Sequence, residues 1–359
     1  MTDSATPLAE AEAAHAAGDL DRARKLCEQA LAADKADAAA RCLLGEVQLS
    51  LGKLPQGLAN YEARWELPAF AAERRRQLEP WWDGSPLGSR TLLLGVEQGL
   101  EEVLQFCRYA PVLLRRFPQA QVILEVPQQA HELIQRSFSR VERLRVVPSP
   151  GPGGEGLPAA DAYLPLASAP YRAQTVLTNV PAAKAYLYAK QPRRLAGEKE
   201  FAIGIAWRSG HPSEGKRRSV PLAKLARVLQ HPGVRLINLQ EGETEHECRH
   251  LTRSEGVAVT NPKGVPPGTP LGPWSDIVAG CDLVVGVDGA AAHLAAALGK
   301  ETWVLLAKPA HWRWLVERED SPWYPTARLF RQSEADDWEL MLPDVLDALR
   351  ERLAARDAA

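Results

Sequence analysis

Three carboxylates, Glu97, Glu101 and Glu102, fall within the stretch VEQGLEEVLQFCRY at positions 96–109. They border a glycine turn between an apolar run and a helix-like pattern. A carboxylate so placed can act as a general base if a reacting hydroxyl comes within reach. The bland alternative is a solvated helix start. A second stretch, CDLVVGVDGAAAHLAAALGK (281–300), carries Asp288, Gly289, Ala290 and His293. Small residues at a helix start leave the first backbone N–H groups open to an anion, with the positive end of the helix dipole behind them. His293 comes one turn later and is placed to face the same spot. The same small residues also suit a helix packed tightly on its sheet. A third stretch, GIAWRSGHPSEGKRRSVPL (204–222), gathers Trp207, Arg208, Lys216, Arg217, Arg218 and Ser219. Such cations can offset the charge of a departing diphosphate, although Lys216 alone reads better as part of a solvated basic loop.

One motif points elsewhere. HECRH (246–250) satisfies His-Glu-x-x-His, the zinc-protease helix pattern. Its surroundings, EGETEHECRHLTRSEG, are polar nearly all round and supply no third ligand, so the segment reads as an exposed helix and no metal site is expected. No P-loop is present.

The elements that must position these residues emerge from apolar periodicity. TLLLGV, AQVILEV, LRVVP and AYLPL read as strands, with helices near 101–116 and 128–138. A Pro/Gly-rich loop over 148–158 interrupts this half, and a polar linker over 190–200 ends it. FAIGIAW, VRLINLQ, GVAVT, CDLVVGV and TWVLLA form a second series. Strands alternating with helices imply βαβ units and parallel sheets. The expected fold class is therefore α/β, with two Rossmann-like sheets facing a cleft and ligands bound beyond the strand C-termini. Residues 5–66 differ, being Ala-rich, helix-forming and repetitive. Gly18 aligns with Gly52, Leu20 with Leu54 and Ala23 with Gly57, an offset of 34 residues, the period of a tetratricopeptide hairpin. Two hairpins bury no continuous core alone, so they are expected to lean on the α/β portion of the chain. The boundaries expected are 1–70 for the helical repeats, 71–190 for the first α/β domain and 191–359 for the second, with C-terminal helices crossing back. Trp303, Trp312, Trp314, Trp323 and Trp338 read mainly as packing, and Trp81 and Trp82 as a joint between repeats and first sheet.

Bulk properties narrow the partners. Over 359 residues the net charge is −2, so no global field draws the chain to nucleic acid or an anionic membrane. No apolar run reaches the roughly 18 residues of a membrane span. The start MTDSATPLAEAEAAHAAGD lacks a secretion signal, and five scattered cysteines form no Cys-x-x-Cys pair. A cytoplasmic protein with reduced thiols is expected.

EQGL…QFCRY, GIAW, RSVPL, NLQ, VDGAAAHLAAALGK and the Trp-rich WRWLVEREDSPWYPTARLFRQ (312–332) together resemble bacterial tetratricopeptide-containing glycosyltransferases of GT-B architecture. Their catalytic halves are similar to heptosyltransferases and more distantly to O-linked N-acetylglucosamine transferases. The resemblance implies metal-independent, inverting transfer of a sugar from a nucleotide-diphosphate sugar to a hydroxyl, with no cofactor. It assigns the donor to Trp207, Arg208, Arg218, Ser219, Gln240, Asp288, Gly289, Ala290 and His293. It gives the base role to Glu102, beside Glu101, and implies a protein acceptor presented by the repeats. The chain departs from the family pattern in three places. Glu101-Glu102 replaces Gly-Asp, Gly289 replaces a threonine, and GIAWRSGHP replaces GIAWxGNP. The competing readings are a catalytically degenerate scaffold that binds through its repeats, and another GT-B-fold enzyme such as an epimerase or hydrolase.

Overall fold

A computed structural model describes residues 6–70, 80–150, 156–211, 214–265 and 270–358. Residues 151–155 of the expected Pro/Gly-rich loop, and 71–79, where the first domain boundary was expected, lie outside the described residues. The chain forms two compact units. One comprises 1–131, 138–181 and 309–318; the other comprises 132–137, 182–308 and 319–359.

The first unit begins with α1 (Pro7–Ala16), α2 (Leu20–Ala33), α3 (Ala38–Ser50) and α4 (Leu54–Tyr61), then a 3-10 turn at Glu62–Glu66. The 34-residue offset has a direct structural counterpart. Gly18 and Gly52 take φ of 78° and 74° between the helices of each pair, a left-handed region that favours glycine. Deeper in the second pair, α3 and α4 approach so closely that a Cβ on Gly45 would stand 2.5 Å from the Tyr61 nitrogen. Thr6, Asp19 and Asp37 cap α1, α2 and α3 with side-chain oxygens.

The sheet of this unit contains β1 (Thr91–Gly95), β2 (Gln121–Val126), β3 (Leu144–Pro148) and β4 (Ala162–Pro165), in the order β3-β2-β1-β4, all parallel. Leu92, Leu93 and Leu94 are buried on both faces, as the covered strands of a parallel sheet require. The helix expected near 101–116 is two helices, α5 (Leu100–Phe106) and α6 (Tyr109–Arg116). Pro111 explains the break, because its ring excludes a helical hydrogen bond to the carbonyl of Cys107. Next come α7 (Gln128–Ser137), of which residues 132–137 are grouped with the second unit, and α8 (Ala169–Arg172). Trp81 packs edge-on between Trp65 and Tyr163, at 5.1 and 6.1 Å. That links the helical segment to β4.

The second unit holds β5 (Phe201–Ala206), α9 (Leu222–Leu229), β6 (Val234–Asn238), α10 (Glu245–Glu255), β7 (Val259–Thr260) and α11 (Leu271–Ala279). After these come β8 (Leu283–Val287), α12 (Ala290–Ala297), β9 (Glu301–Leu306), β10 (Ala327–Arg331) and α13 (Leu342–Asp357). Its strands are parallel in the order β10-β9-β8-β5-β6-β7. Ile203, Ile205, Val285 and Leu305 of the sheet pack with Leu225 of α9 and Val345 and Leu349 of α13 in one core. Within the Trp-rich segment, β10 was not anticipated as a strand. Exposed Arg328 and half-exposed Arg331 give it the polar pattern of an edge.

Both sheets reverse their winding beside their first strand: β1 lies between β2 and β4, and β5 lies between β6 and β8. In parallel sheets, loops leaving such a point diverge and open a crevice at the strand C-termini. The residues with candidate chemistry lie at these two points. All five cysteines are buried and unpaired.

Candidate functional site

At the end of β1, the turn 95–99 needs its two glycines for different reasons. A Cβ on Gly95 would stand 2.4 Å from the Tyr163 ring, and Gly99 adopts φ of 140°. Glu97 leaves this turn to meet Arg64, from the turn after α4, in a bidentate pair. Arg64 Nε donates to Oε1 at 2.9 Å and Nη2 to Oε2 at 3.0 Å. Nη1 also donates to the Tyr61 carbonyl and Glu62, and Nη2 to Ser168 Oγ just beyond β4. Five hydrogen bonds use every N–H a guanidinium has. Both side chains are shut from water, at 0% and 1% exposure. Burial alone would lower the pKa of Arg64, but Glu97 and Glu62 outweigh it and hold the guanidinium charged.

Glu102 and Glu101, adjacent on α5, have different surroundings. Glu101 is half-buried, with a carboxylate oxygen 3.8 Å from where a Cβ on Gly99 would stand. No positive φ occurs at Glu101, so the glycine-to-glutamate change strains nothing in the backbone. Glu102 is 1% exposed. Its Oε2 accepts the Gln98 N–H at 3.0 Å, whereas Oε1 has no hydrogen-bond partner. Burial, then the like charge of Glu97, raises its pKa well above the ordinary carboxylate range, against Arg313, Arg64 and the Gln98 N–H. A base that must collect a proton near neutral pH benefits from such a shift.

The second crevice, at the ends of β5 and β8, contains a chain of four side chains. Arg218 forms a short ion pair with Asp288, and its Nη2 donates to the Asp288 carbonyl at 3.3 Å. The other Asp288 oxygen lies 3.4 Å from His293 Nε2, and His293 Nδ1 is 2.8 Å from the Tyr324 hydroxyl. Gly289 caps α12 with φ of −176°, extended backbone that any residue can adopt, and offers no side-chain cap. Ala290 comes next as the first helical residue. A Cβ on Gly289 would meet nothing nearer than the Val287 carbonyl at 3.9 Å, so a side chain fits there.

Beside β5, Gln240 Oε1 accepts the backbone N–H groups of Trp207 and Arg208 at 2.9 and 2.7 Å. Glu247 accepts Trp207 Nε1 at 3.0 Å and Arg208 Nη1 at 2.6 Å. The glutamate of the HECRH motif is thus engaged with the β5 loop, while His246 and His250 are exposed on α10. Ser219 Oγ accepts the Ser209 N–H at 3.0 Å. Trp207, Arg208, Lys216, Ser219 and Trp338 border a cleft of about 810 Å³. Asn238, Gln240, Arg249, Asn261, Lys263 and Trp274 border another of about 1070 Å³ beyond β6 and β7.

The residues singled out from sequence therefore gather into three neighbourhoods. Within the second unit Arg218, Asp288 and His293 come together, as do Trp207, Arg208 and Gln240; within the first, Glu102 lies on α5 just beyond the turn after β1. Arg64, Gln98, Arg313, Tyr324 and the loop-pinning role of Glu247 were not anticipated. A lone arginine between two aromatics in an otherwise apolar helical pattern, Tyr61-x-x-Arg64-Trp65, was the available signal for Arg64.

Two wound parallel sheets with an N-terminal helical segment define a two-domain fold of the GT-B kind. Residues 221–335 match the model of glycosyltransferase family 9 (heptosyltransferase). The chain is 27% identical over 330 residues to the protein FlbA of Caulobacter vibrioides, covering 86% of this chain and 54% of that one. It thus spans about half the length of that relative. Among solved structures, the iron-containing dodecameric glycosyltransferase TibC of enterotoxigenic Escherichia coli is similar at a TM-score of 0.52 and 13% identity, over 76% of this chain and 78% of that one. E. coli ADP-heptose lipopolysaccharide heptosyltransferase II aligns at a TM-score of 0.47 and 14% identity, over 75% and 100%. No helix among the described residues is long and apolar enough to cross a membrane.

Proposed function

We propose that the chain is a metal-independent, inverting glycosyltransferase that moves a sugar from a nucleotide-diphosphate sugar to a hydroxyl on a protein acceptor in the cytoplasm. The observation that carries this reading is the Arg218–Asp288–His293–Tyr324 chain at the C-terminal end of β8, of which Asp288, His293 and Tyr324 lie inside the segment that matches glycosyltransferase family 9. The α12 N–H groups and Arg218 bind the donor diphosphate, and Trp207, Arg208, Ser219 and Gln240 shape the rest of the donor site. His293 orients Asp288 towards the sugar. Glu102 takes the acceptor hydroxyl's proton on Oε1 as the acceptor's own oxygen bonds to the anomeric carbon. The bond from that carbon to phosphate breaks, and the nucleoside diphosphate leaves with its charge offset by Arg218 and the helix dipole. The helical hairpins, read as tetratricopeptide units, present the acceptor.

Titration calorimetry against a panel of nucleotide-diphosphate sugars, then a search for mass shifts on proteins of a host lysate, tests the proposal. Binding of one donor and transfer that Glu102→Gln abolishes are expected. The burial of Glu102 favours one alternative, a degenerate relative that binds partners through its helices. Failure of every donor to bind would establish that alternative.

A further inference from the structure

Arg64 belongs to the helical segment, yet three of its five hydrogen bonds reach Glu97 and Ser168 at the sheet end of the first unit. We infer that Arg64 is a positioning residue for Glu102, acting through Glu97 and Gln98 to fix the N–H that holds one Glu102 oxygen and leaves the other for the acceptor proton. This deepens the reading of Glu102 as base and rests on it.

Two guanidinium groups clamp the turn. Arg64 grips Glu97 in two parallel bonds, and Arg313 Nη2 donates to Gln98 Oε1 at 3.2 Å. Gln98 Nε2 donates to the Tyr61 hydroxyl at 2.8 Å and to Glu97 Oε1 at 3.0 Å. Its amide held on three sides, the Gln98 side chain anchors the residue whose N–H meets Glu102 Oε2. Arg313 is itself steadied: its guanidinium lies 5.2 Å from the Trp312 ring centroid, and Trp312 stacks on Phe106 of α5 at 6.3 Å. The helical segment therefore supplies part of the frame around the candidate base, besides any surface it offers to an acceptor.

Arg64 could instead be a simple tie between helices and sheet. The two roles separate in the titration of Glu102. The charged groups facing it are Glu97, Arg313 and Arg64; Glu62 lies against Arg64, and His311 against Arg313 at 3.4 Å. Arg64→Lys retains the charge but lacks the planar fork. The protonated Glu102 carboxyl is tracked by infrared difference spectroscopy across pH, its band assigned by its loss in Glu102→Gln. In Arg64→Lys the turn loosens, the Gln98 N–H is lost to Oε2, and the midpoint should rise. That rise supports positioning. A folded Arg64→Lys protein whose Glu102 midpoint does not move overturns the inference, even where Glu102→Gln abolishes transfer. If Arg64→Lys does not fold, an unmoved midpoint in Gln98→Ala, which frees the same N–H from its side-chain anchors, has the same force. Undiminished transfer in Glu102→Gln defeats the base reading itself, and the positioning role falls with it.

Discussion

The turn after β1 and the turn after β8 share a construction: a buried strand, glycine and acid at its end, and a helix of short residues or carboxylates. They differ in how far their charges sit from water. The side chains of Arg64 and Glu97 are 0% and 1% exposed, whereas those of Arg218 and Asp288 keep 12% and 10%. A charge taken fully from water must be matched by partners on every side, and Arg64 is so matched. One unpartnered atom, Glu102 Oε1, is left in that turn for chemistry. The second turn is wetter, so Arg218 loses less by giving up Asp288 than Arg64 would by giving up Glu97. Under the proposed function, the first region would hold a proton acceptor still and the second would trade partners.

The largest expected contrast comes from deleting the two arginines. Arg64→Met strands a buried carboxylate and should cost about 3–5 kcal/mol, whereas Arg218→Met should cost about 1.5–3 kcal/mol. Urea denaturation measures both, and equal losses would erase the distinction between the two turns. Next is Glu102→Gln. A raised folded-state pKa means that the native chain binds an extra proton from about pH 4.3, where an unfolded glutamate titrates, up to the folded value. Stability therefore falls as pH rises through that window. The variant should be more stable than the parent at pH 8, by about 1.4 kcal/mol per unit of elevation, with no gain below pH 4. A gain independent of pH would show that packing, not ionisation, is responsible. The smallest effect is expected at Gly289→Ser, which adds a cap to α12 in open space and should stabilise by a few tenths of a kcal/mol. The same change at Gly99, with φ of 140°, should destabilise by about 1–3 kcal/mol. Thermal melts that rank the two the other way round would place the backbone strain in the wrong turn.

The sheets were legible because covered parallel strands are nearly continuous apolar runs, and TLLLG, VILEV and LVVGV are of that kind. β10 was hidden because Arg328 and Arg331 interrupt its apolar pattern at a sheet edge. The grouping of Arg218, Asp288 and His293 was visible as turn chemistry at strand ends. Arg64 was not, since its partner Glu97 is 33 positions away and no local spacing joins an arginine after a helix to a turn after a strand. For the same reason Glu102 could be singled out as a carboxylate, while its electrostatic surroundings include side chains as distant in sequence as Arg64 and Arg313.

The five buried thiols give the molecule a set of internal clocks. Burial pushes Cys27 and Cys248 up to about 11, and Cys42, Cys107 and Cys281 up to about 12. Hardly any thiolate exists at neutral pH while the chain is closed, so an alkylating reagent marks a cysteine mainly when its surroundings open. Cys27 and Cys42 report on the helical hairpins, Cys107 on the helix behind Glu102, and Cys248 and Cys281 on the six-stranded unit. Their separate alkylation rates would resolve which part of the chain breathes first, without any label being added to the protein.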